Sequence, residues 1–186
     1  ARELTGDKSG AETLYQRAAD HGNTDAMRRL ATAREEAGDK EGAETLAQRA
    51  ADRGNASALR RLAEMREKAG DKEGAETLAQ RAADHNDTSA LIRLATAREL
   101  TGDKSGAETL YQRAADHGNT DAMRRLAMVR ERAGDKEGAK SLYQRAANHG
   151  GSRGSGLDAL KRLWPYGLDP DGTATPRWSD VTEAGP

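Results

Sequence analysis

Apolar residues in this chain come in short stripes at helical spacing, separated by polar faces and glycine-containing turns. In residues 24–37, TDAMRRLATAREEA, positions Ala26, Met27, Leu30, Ala31 and Ala37 line one side of a helix. In residues 40–52, KEGAETLAQRAAD, Ala43, Leu46, Ala47, Ala50 and Ala51 do the same. Asn23 or Thr24 caps the first helix, and Gly38 stands where a left-handed C-terminal residue is wanted. Asp39 caps the second helix at once, and Gly54 ends it. Neither helix is long enough to be stable alone, so each must lean on its neighbours.

The pattern recurs. Gly-Asp returns at Gly6, Gly38, Gly70, Gly102 and Gly134, always 32 residues apart, and residues 1–31 and 97–127 are the same 31 letters. A hairpin with one apolar stripe per helix, repeated in tandem, predicts stacked helical pairs.

Composition narrows this further. Charged residues make up 33% and Phe is absent, so Ala and Leu carry the burial and suit thin, closely packed helix interfaces. The formal net charge of −1, from 30 basic and 31 acidic residues, favours neither nucleic acid nor an anionic membrane as partner. No cysteine is present, which excludes disulfides and thiol chemistry. The sequence has no apolar run long enough to span a bilayer and no signal-like opening, and a cytoplasmic protein is expected.

The spacing resembles the tetratricopeptide repeat. Its pattern appears as Met27-x₂-Leu30-Ala31-x₂-Arg34, then Gly38-Asp39, then Ala43-x₃-Ala47 and Ala50. Other copies carry an aromatic in the last pair, as Ala11-x₃-Tyr15, Ala107-x₃-Tyr111 and Ala139-x₃-Tyr143. The stretch LYQRAADHGNTDA is also similar to Sel1-like repeats. The resemblance implies an all-α, right-handed α-solenoid of tandem 32-residue helix-turn-helix units. One departure has physical content: Arg34, Arg66, Arg98 and Arg130 occupy the family's Tyr slot. A guanidinium cannot bury its charge alone, so the stem should pack while the head reaches solvent or a carboxylate.

The expected organisation is repeats over residues 1–149, starting mid-unit, then a Gly/Ser linker and short terminal helix over 150–166, then a proline-containing extended tail over 167–186. The start within a unit suggests a piece of a longer protein with further repeats upstream. Trp164 and Trp178 are expected to cover the end of the last repeat; the alternative is a tail that occupies a peptide groove, its own or a neighbour's.

Candidate chemistry is sparse. His21, His85, His117 and His149 share one slot at the end of the second helix, but another copy has Arg53 there. Interaction of positive charge with the helix C-terminus accounts for both, so no metal site is expected. GDKSG and GDKEG lack the spacing of a phosphate-binding loop. Gly10, Gly42, Gly74, Gly106 and Gly138, in the first turn of a helix, are expected to permit close helix contact. No catalytic residue and no cofactor is expected, and the chain reads as a non-enzyme.

The resemblance implies that the first helices line a concave groove. The matching positions are Asp25, Arg28, Thr32 and Glu35; Ser57, Arg60, Glu64 and Glu67; Ser89, Ile92, Thr96 and Glu99; and Asp121, Arg124, Met128 and Glu131. Ile92 and Met128 break a basic row with apolar side chains, which suits an extended peptide bearing a carboxylate and a hydrophobic anchor. The competing reading is an ordinary solvated face whose arginines pair with glutamates. The expected function is therefore a protein-interaction scaffold, alone or as the sensor arm of a larger protein. The alternative is a structural module that stacks head to tail on copies of itself, through repeat ends or the C-terminal tail.

Overall fold

The computed structural model describes residues 8–150, so the readings made for residues 1–7 and 151–186, including the linker, Trp164, Trp178 and the tail, lie outside it. Among the described residues there are nine α-helices and no strand. They run α1 (Lys8–Asp20), α2 (Thr24–Glu36), α3 (Lys40–Ala51), α4 (Ser57–Lys68), α5 (Lys72–Asp84), α6 (Ser89–Leu100), α7 (Lys104–Asp116), α8 (Thr120–Arg132) and α9 (Lys136–Gly150). The chain forms two compact units that divide at Arg113 and Ala114, within α7.

Each hairpin turns on the same Gly-Asp pair. In the first, Gly38 has φ +84°, a conformation that costs other L-residues more than glycine. Its N–H donates to the Glu35 carbonyl at 3.0 Å while Asp39 N–H donates to that of Arg34 at 2.9 Å. This pair of bonds is the Schellman motif, and it closes α2. Asp39 then caps α3, its carboxylate accepting from Gly42 N–H at 2.9 Å. One aspartate thus ends one helix and starts the next, and Asp71, Asp103 and Asp135 repeat the arrangement. The returns between hairpins vary more. Asn23 and Asn119 cap α2 and α8 by accepting from Ala26 and Ala122 N–H. Asn86 occupies with φ +67° the turn position that Gly22, Gly54 and Gly118 hold in other copies.

The first-turn glycines have a different cause from the one expected. A Cβ on Gly74 would lie 2.7 Å from a carboxylate oxygen of Asp71, and one on Gly106 2.6 Å from that of Asp103. At Gly74, Gly106 and Gly138 the nearest atoms all belong to the capping carboxylate curled over the helix start, while at Gly42 the Arg34 guanidinium of α2 crowds the position as well.

In the first unit, α2 packs on α3 and α4 on α5, while α2, α4 and α6 lie side by side as a row. This is the tandem stack of an α-solenoid. Its core is the predicted one except at Ala37, which is exposed as the C-cap of α2: Ala26, Met27, Leu30 and Ala31 of α2 and Ala43, Leu46, Ala47, Ala50 and Ala51 of α3 are buried, and the following copies repeat them. Alanine dominates because closely approaching helices leave no room for more. In the second unit α8 packs on α9 around Met123, Leu126, Leu142 and Tyr143.

Candidate functional site

Two of the arginines in the Tyr slot, Arg66 and Arg98, are the most constrained charges in the first unit, whereas Arg34 is half-buried and pairs with Asp39 at 3.6 Å. Arg66 and Arg98 are 6% and 4% exposed, which no solvated arginine would be. Arg66 Nε donates to Glu35 Oε1 at 2.9 Å and Nη2 to Glu35 Oε2 at 3.2 Å, a two-pronged contact with the previous first helix. Its Nη1 donates to Glu44 Oε1, on the previous second helix, at 2.8 Å. Glu44 in turn accepts from Arg81 at 3.0 Å. Thirty-two residues on, Arg98 repeats this with Glu67 and Glu76, and Arg113 completes the chain at 3.2 Å. Hydrogen bonds to Glu35 and Glu67 hold the two guanidiniums still more firmly charged than usual, against burial, which pulls the other way. Of the two destinations the sequence allowed for the arginine head, the carboxylate is the one taken.

That network decides what two of the stripe residues are doing. Glu35 and Glu67, with side chains 7% and 12% exposed, are engaged by Arg66 and Arg98. Glu99 and Glu131 instead accept from the buried phenols of Tyr111, at 3.1 Å, and Tyr143, at 3.4 Å. Thr96 Oγ1 lies 3.2 Å from the Tyr111 hydroxyl, and Thr32 Oγ1 donates to the Arg28 carbonyl. These six residues support the scaffold as well as occupying the stripe.

The remaining stripe positions of the first unit are more open. Arg28, Ser57, Arg60 and Glu64 line a depression of about 280 Å³ that also takes in Arg61 and Arg93. Three of its four guanidiniums are balanced: Arg28 by Asp25 at 3.6 Å, Arg60 by Asp87 at 3.4 Å, and Arg93 by Glu64 at 3.2 Å. Arg61 is exposed, and among the described residues it has no ion-pair or hydrogen-bond partner. Ser89 and Ile92 on α6 are half-buried. In the second unit, Arg124 pairs with Asp121 one turn earlier, and Met128 is 45% exposed. The stripe takes Arg60 and Ile92 in these copies, so it passed over Arg61 and Arg93, one residue further on. Their recurrence every 32 residues was the signal available for finding them.

A second ladder runs along the hairpin turns. Lys40 donates to Asp71 at 3.0 Å and Lys72 to Asp103 at 3.0 Å. The Lys40 hydrogen bond, then the Gly74 N–H, hold the Asp71 carboxyl below the usual carboxylate range. At Asp103 the Gly106 N–H comes first and Lys72 second.

In the histidine slot, His85 makes local polar contacts. His85 ends α5 with its Nε2 3.0 Å from the Gln48 amide and 3.7 Å from Asp52. Among the described residues no group of three or more His, Cys, Asp or Glu side chains could hold a metal. Nor is any helix among them long and apolar enough to cross a membrane.

A tetratricopeptide repeat is recognised over residues 121–149, which covers α8 and α9. Among solved structures, the chain is similar to a Sel1 repeat protein from Oxalobacter formigenes, with 22% identity over 97% of this chain and 82% of that one, and a TM-score of 0.50. It is also similar to a protective antigen of uropathogenic Escherichia coli strains displaying an SLR fold, at 22% identity and TM-score 0.48, over 83% of this chain and 36% of that one. For MamA the figures are 20% identity, TM-score 0.42, and 80% and 92% of the two chains. At these identities the likeness is one of fold. No curated protein matches the chain in sequence.

Proposed function

From a chain of tetratricopeptide and Sel1-like repeats, a fold typical of protein–protein interaction scaffolds, we propose a non-enzymatic scaffold that holds a partner peptide on the α2–α4–α6 row. The observation that supports this is Arg61. An exposed guanidinium lacking a carboxylate, in a depression where the three other arginines each have one, can take an acidic group from outside without displacing a partner. A planar guanidinium fits a carboxylate with two parallel hydrogen bonds, so a side-chain or C-terminal carboxylate is the expected contact. Half-buried Ile92, on the neighbouring helix, supplies apolar surface for an anchor. The test is a peptide array probed with the wild-type chain and with Arg60→Glu/Arg61→Glu. Acidic peptides captured by the first and not by the second support the proposal, and equal capture by both refutes it.

Self-association is the second reading, and one comparison favours it. Leu14 is 49% exposed, while Leu110, within the identical 31-letter stretch, is 0% exposed. A second copy docking there would bury it. Sedimentation over a range of concentrations tests this: a monomer throughout rules it out, and Leu14→Glu should abolish any assembly seen.

A further inference from the structure

The row of arginines also carries information on the shape of the partner, and this step rests on the scaffold reading above. Arg29 on α2, Arg61 on α4 and Arg93 on α6 hold one slot in successive copies, and all three are exposed. Arg29 lies over the Tyr15 ring, 5.6 Å from its centroid, and Arg93 reaches Glu64. The three helices are packed neighbours, and packed helix axes lie about 8–10 Å apart. A ligand that meets one arginine per copy must therefore present its charges at about that interval.

Peptide conformations differ in whether they can. In a β-strand, side chains on one face recur about every 6.6–6.8 Å, too short for one helix spacing and too long for half of it. In an α-helix the near-equivalent positions i and i+7 are about 10.5 Å apart, but the rod is about 10–12 Å wide, a poor fit to a shallow depression of about 280 Å³. A polyproline II chain has three residues per turn and rises about 3.1 Å per residue, so i, i+3 and i+6 share one side at intervals of about 9 Å. It is narrow, and little conformational entropy is lost when it binds. Asp25, Asp87 and Glu64, the partners of Arg28, Arg60 and Arg93, would repel a polyphosphate backbone charged at every residue, so a sparsely charged peptide is favoured over a nucleic acid.

We propose that the α2–α4–α6 row recognises a polyproline II peptide bearing carboxylates at every third residue, with Arg61 as the central contact. The probes are fluorescein-labelled proline-rich nonapeptides of one composition, with three glutamates at every third position or clustered at one end, and a helix-forming peptide with glutamates seven apart. A single-stranded oligonucleotide is the fourth probe. Anisotropy titrations should show the evenly spaced peptide binding at least about tenfold more tightly than the clustered one, with affinity falling as salt rises. Arg61→Gln, at a site with no partner to lose, should weaken it about tenfold with an unchanged circular dichroism spectrum. Arg29→Gln/Arg93→Gln should weaken the spaced peptide more than the clustered one.

Equal binding of the spaced and clustered peptides would overturn this inference and leave the scaffold reading standing. Tighter binding by the helical peptide or the oligonucleotide would overturn it too, as would indifference to Arg61→Gln. If no acidic peptide binds at all, the inference falls together with the carboxylate site it rests on.

Discussion

Replacing Arg98 with alanine should cost the chain about 3 kcal/mol of stability. Arg98 is 4% exposed and bonds both oxygens of Glu67, one oxygen of Glu76 and, more weakly, the Lys72 carbonyl. Removing one partner of a buried ion pair typically costs about 3–5 kcal/mol, because the charge left behind is neither solvated nor paired. Two features place this case at the lower end. Glu76 keeps Arg113 at 3.2 Å, and the two carboxylates retain 12% and 28% exposure. Arg98→Met, which keeps the packed stem, should lose about 2 kcal/mol. The assay is urea unfolding of the full chain followed by circular dichroism. Because solenoid stability is a sum over adjacent units, the loss should appear as a broadened transition as well as an earlier one. A double-mutant cycle with Glu67→Leu isolates the pair and should return a coupling of about 2 kcal/mol. An Arg98→Ala variant within about 0.5 kcal/mol of wild type, or a coupling near zero, would show that the network does not hold the copies together.

Two further outcomes follow from the turns. Gly74→Ala should fail to give the gain of about 1 kcal/mol that alanine normally brings to a helix, because its Cβ meets the Asp71 carboxylate at 2.7 Å. In an Asp71→Ala background, where the cap is already lost, the same substitution should raise the melting temperature, and equal effects in both backgrounds would contradict the steric account. The Asp103 carboxyl, held below its ordinary value of 3.8 by the Gly106 N–H and then Lys72, contributes stability that is complete above that value and disappears as pH falls through the lowered one. Asp103→Asn should therefore be less stable than wild type near neutral pH and converge with it in strong acid, as read from urea midpoints across pH; a constant gap would refute the linkage.

The local fold was legible because each of its parts is written in neighbouring residues. Asn23, Gly38 and Asp39 announce their roles within three or four positions, and the buried stripes follow from spacing alone. What sequence could not resolve lies between copies. Arg66 was visibly out of place in an aromatic slot, but its carboxylates, Glu35 and Glu44, come from two different helices of the preceding hairpin, 31 and 22 residues away. The first-turn glycines were misread for the opposite reason: their neighbour is the aspartate three positions back, and the helical wheel says nothing about a side chain folded over a helix start. At the candidate site the stripe found Arg28 and Arg60 but missed the unpaired Arg61, because pairing is a property of distances that periodicity does not encode.

The ladder of Glu35, Arg66 and Glu44, followed by Glu67, Arg98 and Glu76, has a consequence for how such a chain changes over generations. Both rungs join a hairpin to the one before it by the same offsets, so excising the module between them, or inserting another of its kind, re-forms these bonds with equivalent residues. Gain or loss of one such module thus lengthens or shortens the array while leaving neither buried guanidinium stranded. Reach is heritable in steps of one module, and the electrostatics of the joint are what make those steps safe.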